Sequence, residues 1–179
     1  MSNSNYIYIP EGIKIFVQKN KLFLKGDLGG LSITLPGILK LKKVKNKLFI
    51  FVVKSAINNK NIERKNSFIS LIKSRIKGLY SLSYKNIFLN GIGYKAYIHN
   101  NKLYLSLGYS HKFSLAIPKN MFVISNKPNV ITIIGYNKEN INLFASQIKK
   151  LRLPEPYKGK GIYYQGETIV KKEGKGKLV

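Results

Sequence analysis

Lys102-Leu103-Tyr104-Leu105 repeats Lys21-Leu22-Phe23-Leu24 at an offset of 81 residues (102 − 21). Each quartet puts a leucine on every second residue, so each reads as a half-buried strand. Working outward, Ile13 to Gln18 is a strand, Lys19-Asn20 a short turn, and Lys21 to Lys25 the hairpin partner. In the second copy Tyr94 to Ile98 precedes a turn at His99 to Asn101. The match continues: Phe113-Ser114-Leu115-Ala116-Ile117-Pro118 parallels Leu31-Ser32-Ile33-Thr34-Leu35-Pro36 at an offset of 82 (118 − 36), one insertion later. Leu39 to Val44 and Leu48 to Val53 give further strands in the first half, and Val130 to Ile134 answers the second of them. Gly26 to Gly30 and Ala56 to Asn66 read as loops.

A helix follows the strands in each half. Ser67 is the expected cap of the first, which carries Phe68, Leu71, Ile72, Ile76 and Leu79 on one face. Asn137 is the expected cap of the second, whose face is Ile141, Phe144, Ile148 and Leu151. The fold class is therefore α+β: two similar small domains from an internal duplication, each an antiparallel-type sheet packed on one helix. The boundaries are 1–82, 83–152 and a terminal stretch 153–179.

The chain has 179 residues, with 32 Lys+Arg against 7 Asp+Glu, a net charge of +25 and a pI of about 10.1. That excess calls for a polyanionic partner, either nucleic acid or an anionic membrane surface. Hydrophobic residues make up 44%, enough for a core in each half. Charge repulsion is expected to leave the free protein marginally stable. No cysteine is present, so disulfides and thiolate metal sites are excluded. There is no run of 18 apolar residues to span a bilayer.

Catalysis has no constellation to rest on. Asp27 is the sole aspartate, and Glu11, Glu63, Glu139, Glu155, Glu167 and Glu173 are scattered. His99 and His111 stand 12 apart, read as strand residues without further ligands, so no metal is expected. Gly91-Ile92-Gly93 is too short for a dinucleotide fingerprint, and Gly26 to Gly30 lacks the Gly-Lys-Ser/Thr ending of a phosphate-binding loop. No cofactor and no small-molecule substrate are expected.

The basic residues, by contrast, are organised. Lys40, Lys42, Lys43, Lys45 and Lys47 cluster in the first half. Near the end comes Leu153-Pro154-Glu155-Pro156-Tyr157-Lys158-Gly159-Lys160-Gly161-Ile162-Tyr163-Tyr164. Its prolines fix φ and start the segment extended. Lysines alternating with glycines offer ammonium groups and closely approachable amides together, which suits a phosphate. The candidate residues for a polyanionic partner are Lys149, Lys150, Arg152, Tyr157, Lys158, Gly159, Lys160, Gly161, Tyr163, Lys171, Lys172, Lys175 and Lys177.

Pro-Glu-Pro-Tyr-Lys-Gly-Lys-Gly-Ile, followed by an aromatic and a basic tail, resembles the signature of the sixth protein of the large ribosomal subunit, the L-six family. Gly91-Ile92-Gly93-Tyr94-Lys95-Ala96 and Leu105-Ser106-Leu107-Gly108-Tyr109-Ser110-His111 support it in the expected order, and the likeness runs from about Ile9 to Lys177. Tyr163 stands where the family usually has arginine, Leu153 where it has a second basic residue, and Lys112 where it has proline. The resemblance implies two similar α+β domains and binding to large-subunit rRNA near the sarcin–ricin loop and the stalk base. It also implies neighbouring ribosomal proteins as partners, with translational GTPases docking nearby.

Two alternatives belong to other classes. A peripheral protein on anionic membranes predicts a basic amphipathic helix with bulky anchors, whereas both helices here read as one-sided core helices. A nucleic-acid enzyme needs acidic or metal-binding clusters. Of the 32 basic residues only Arg64, Arg75 and Arg152 are arginine, and Asn, Ile and Tyr abound, as AT-rich codons favour. Lysine lacks the bidentate fork to phosphate, so codon bias explains the choice better than binding does. The opening residues lack the arginines of an import presequence and the apolar core of a signal peptide. The expected location is a mitochondrial ribosome, with a plastid or an AT-rich bacterium as alternatives.

Overall fold

The computed structural model describes residues 6–18, 20–53 and 57–173. The chain forms two compact units, Met1–Leu82 and Ser83–Val179.

The first unit runs β1 (Tyr6–Tyr8), β2 (Lys14–Gln18), β3 (Lys21–Gly26), β4 (Gly29–Thr34), β5 (Leu39–Val44), β6 (Lys47–Val52) and α1 (Asn59–Tyr80). Its strands make two antiparallel three-stranded sheets, in the orders β2-β3-β4 and β1-β6-β5. Period-two alternation sets the faces. Leu22 and Leu24 of β3, with Leu48 and Ile50 of β6, are fully buried beneath α1, which contributes Phe68, Ile69, Ile72, Ile76 and Leu79. Each such side chain stabilises by about 1.5–3 kcal/mol when fully buried.

Three local readings need correction. Gly26 to Gly30 is mostly strand: Gly26 pairs with Gly29, and Asp27-Leu28 is the whole turn. The helix starts at Asn59, after Asn58, and Ser67 lies inside it. Its first nine residues present no buried face, so they carry no apolar period to read, yet Lys60, Glu63, Arg64 and Lys65 are good helix formers. The strand β1 was not anticipated, being only three residues long.

The second unit runs β7 (Ser83–Asn90), β8 (Lys95–His99), β9 (Lys102–Ser106), β10 (Phe113–Ala116), β11 (Met121–Lys127), β12 (Val130–Gly135), α2 (Lys138–Leu151) and β13 (Gly161–Tyr164). Sheet β8-β9-β10 repeats β2-β3-β4, and β7-β12-β11 repeats β1-β6-β5. The fold is thus a duplicated α+β architecture. Asn100 and Asn101 take positive φ of 48° and 56° in the β8–β9 turn, as a tight hairpin requires. Asn137 caps α2, its side chain accepting from the Glu139 N–H at 3.1 Å. Ile141, Phe144, Ala145 and Ile148 of α2 seal the core against β7, β12 and β13. His111 is not on a strand; it lies in the bend before β10. The added element is β13, which pairs antiparallel with β7 and has no counterpart among the described residues of the first unit. Through it the stretch after α2 is woven into the second unit.

Candidate nucleic-acid interface

The polypeptide leaves α2 at Arg152, and the guanidinium gathers three distant stretches. It donates to the Leu107 carbonyl at 3.1 Å and lies 4.6 Å from the centre of the Tyr109 ring and 5.7 Å from that of Tyr94. Arginine suits this place because its flat, weakly hydrated cation stacks on aromatic faces. Tyr94 is buried, and a Cβ on Gly91 would come within 2.7 Å of its ring. The Tyr109 hydroxyl reaches the Leu151 carbonyl at 3.5 Å. His111 packs edge-on to Phe113 with ring centres 4.7 Å apart. Gly91 to Tyr94, Leu107 to His111 and Arg152, far apart in sequence, therefore converge in this unit.

Beyond Arg152 the chain makes a closed loop. The Glu155 N–H donates to the Lys160 carbonyl at 2.7 Å, and the Gly159 N–H to the Glu155 carbonyl at 2.9 Å. Asn90 clamps the loop from β7, its amide donating to the Gly159 carbonyl at 2.9 Å. Gly161 is required sterically as well as conformationally: with φ at 141°, a Cβ there would lie 2.6 Å from both the Leu153 carbonyl oxygen and Pro154 Cα. Gly161 thus lets the chain cross itself, while Gly159, with φ at 66°, makes the turn before it. The Gly159 amide, anticipated as a phosphate donor, has its partner inside the loop.

What the loop turns outward is side chain. Leu153 is 64% and Tyr157 56% exposed, Lys158 is exposed, and Lys160 is half-buried. The following segment returns to the loop: the Lys172 N–H donates to the Pro156 carbonyl at 2.9 Å, and Lys171 Cε passes over Gly159. Lys171, Lys172 and Lys150 are exposed. Lys175 and Lys177 lie outside the described residues. Tyr163 sits on β13 opposite Phe88, and their rings stack with centres 5.8 Å apart and 20° between planes.

Lys149 has a different setting. Its ammonium pairs with Glu167 and lies 4.6 Å from the centre of the Tyr164 ring. Lys85 of β7, which sequence reasoning did not single out, approaches the same ring at 3.7 Å and donates to Asn142 at 3.2 Å. Desolvation, then the nearby Lys149 charge, push the Lys85 ammonium below its ordinary pKa. The Lys149 hydrogen bond, reinforced by the Tyr164 N–H, holds the Glu167 carboxyl below the ordinary carboxylate range. This cluster ties β13 and the segment after it to α2 and β7.

No group of three or more His, Asp or Glu that could hold a metal exists among the described residues. Nor is any described helix long and apolar enough to cross a membrane. Fold and surface define a strongly basic, duplicated α+β protein whose second unit displays a lysine-bearing loop closed by its own hydrogen bonds. Residues 90–165 match the family model for ribosomal protein L6. Large ribosomal subunit protein uL6m of Reclinomonas americana is 37% identical over 97% of this chain and 97% of its own. Protein uL6 of Mycoplasma capricolum is 35% identical over 94% of this chain and 93% of its own, and uL6c of Arabidopsis thaliana 34% over 94% and 75%. The chain belongs to the ribosomal protein L6 family and is a structural constituent of the large ribosomal subunit, not an enzyme.

Proposed function

We propose that the chain binds large-subunit rRNA near the sarcin–ricin loop and the stalk base, supporting the region where translational GTPases dock, in a mitochondrial ribosome. The observation that carries this is the loop after Arg152. Its backbone is closed on itself, while Tyr157 and Lys158 project outward and Lys171 and Lys172 lie alongside. A rigid loop presents its ammonium groups without a large ordering cost, so each phosphate met is neutralised at a fixed place. Lys150, Lys158, Lys160, Lys171 and Lys172, with Lys175 and Lys177 beyond the described residues, supply the charge. Arg152, Gly159 and Gly161 hold the loop's shape, and neighbouring ribosomal proteins complete the surroundings. The organelle assignment rests on the AT-biased residue choice and the similarity to a protein named uL6m.

Co-sedimentation tests the reading. The chain should pellet with ribosomal particles, and its affinity for an rRNA fragment should fall with salt at a log–log slope of roughly −0.7 to −0.9 per phosphate contacted. Preferential capture by anionic vesicles, or binding flat with salt, contradicts it. The membrane alternative needs an unpartnered amphipathic helix, and the apolar faces of α1 and α2 are both buried in their own units.

A further inference from the structure

We infer that the outer faces of the two hairpin sheets, β2-β3-β4 and β8-β9-β10, are stacking platforms for unpaired nucleobases, giving the chain two RNA contact sites besides the loop after α2. The inference rests on the rRNA-binding reading and extends it to surfaces built by other elements.

The register carries the argument. In the first unit Phe16, Phe23 and Ser32 stand side by side across three strands; in the second, Tyr97, Tyr104 and Ser114 do the same. The offsets are 81, 81 and 82 residues, the same as those of the duplication itself. Phe16 and Phe23 stack with centres 5.2 Å apart and 11° between planes, Tyr97 and Tyr104 at 5.1 Å and 9°. The other face of each strand is core, with Ile15, Leu22 and Leu24 in one unit and Ala96, Leu103 and Leu105 in the other. The paired rings therefore face away from the core: Phe16 is 50% and Tyr97 42% exposed.

The neighbours on these faces select the ligand. Lys14 and Lys25 pair in the row on one side of the phenyl rings, and Lys21 pairs with Gln18 on the other. Lys95 and Lys102 take the corresponding places around the tyrosines, and the Lys112 ammonium lies 5.7 Å from the Tyr97 ring centre. None of these paired positions is a carboxylate. Beside the rings the third strand is small, with Gly30 and Ser32 in one copy and Ser114 and Ala116 in the other. A shallow depression lined by Phe16, Phe23, Lys25, Gly29, Gly30 and Ser32 lies there, with Asp27 of the β3–β4 turn at its end as the one acidic group in its lining. A flat aromatic surface ringed by ammonium groups fits a flat base joined to phosphates. Paired bases hide their faces within the helix, so the fit is to single strands, loops or bulges.

The test uses the full chain and fluorescently labelled octaadenylate, with an RNA duplex of equal charge as reference. The double variants Phe16→Leu/Phe23→Leu and Tyr97→Leu/Tyr104→Leu should each lose roughly tenfold in affinity for the single strand, and little for the duplex. Octaadenylate should also quench the intrinsic tyrosine fluorescence of the unaltered chain, a readout that needs no variant to fold. The variant Lys158→Ala/Lys160→Ala should weaken binding to an rRNA fragment while leaving the ring-dependent preference for single strands. Unchanged single-strand affinity in folded ring variants, or no tyrosine quenching, overturns the inference. So does a glutamate–tyrosine copolymer that displaces octaadenylate at equal charge, which assigns the faces to an acidic protein partner. If instead only the lysine variant binds the rRNA fragment as before, the loop reading fails and the platform inference stands.

Discussion

Gly161→Ala should detach the start of β13 and with it the loop proposed to meet rRNA. Two costs add at this position. A non-glycine residue held in a sparsely populated backbone region costs about 1–3 kcal/mol, and φ here is 141°. The new methyl would also lie 2.6 Å from the Leu153 carbonyl oxygen and from Pro154 Cα, both backbone atoms that no side-chain rotation can move aside. Overpacking of that kind costs about 1–3 kcal/mol. Together the loss is roughly 2–6 kcal/mol, a large part of the stability of a small unit. In urea, at a mid-range slope of about 2 kcal/mol per molar, the midpoint should fall by roughly 1–3 M. Gly93→Ala is the control: φ is 78°, but nothing lies within 4 Å of the added carbon, so only backbone strain is charged to it. Denaturation followed by circular dichroism, with hydrogen exchange at Ile162 to Tyr164, reads both variants. If Gly161→Ala is no worse than Gly93→Ala, the steric account of this crossing is wrong.

Other perturbations follow from single contacts. Asn137→Ala removes the bond to the Glu139 N–H and should cost about 1 kcal/mol by urea denaturation, whereas Asn58→Ala, at a cap without a side-chain bond, should be near neutral. Arg152→Lys keeps the charge but gives up the flat guanidinium over the Tyr94 and Tyr109 rings; a loss of about 1–2 kcal/mol, with shifted tyrosine ring resonances, is the outcome to look for. Because the folded Glu167 carboxyl is held below its ordinary value of 4.5, its contribution is present above that value and lost as pH falls through the lowered one. Glu167→Gln should therefore flatten the acid limb of a stability–pH curve while changing little at the most acidic end.

The strands that sequence revealed best were those with strict alternation between leucine or isoleucine and outward residues, as in β3, β6 and β9. β7 and β11 escaped because their outer positions are also apolar or aromatic, so Phe88, Phe122 and Ile124 blur the period of two. α1 was placed too late, since its first nine residues bury no side chain and leave no apolar stripe. The α2 cap was legible because asparagine just before an amphipathic run has a local job. In the candidate interface, the alternation of Lys158 and Lys160 with glycine could be read directly. The partner of Arg152 could not: Tyr94, Leu107 and Tyr109 reach it only through the fold. The same holds for Lys149, whose charge is matched by Glu167 18 residues on, beyond the loop and β13.

The central claim is that the loop from Leu153 to Gly161 lies against rRNA. A high-resolution structure of the large subunit containing this chain measures that directly. The account predicts the Lys158 ammonium, with that of Lys160 or Lys171, within roughly 3 Å of phosphate oxygens, and the loop backbone still closed between Glu155 and Lys160. A loop facing solvent or another protein, with no RNA backbone in reach of those lysines, would contradict it.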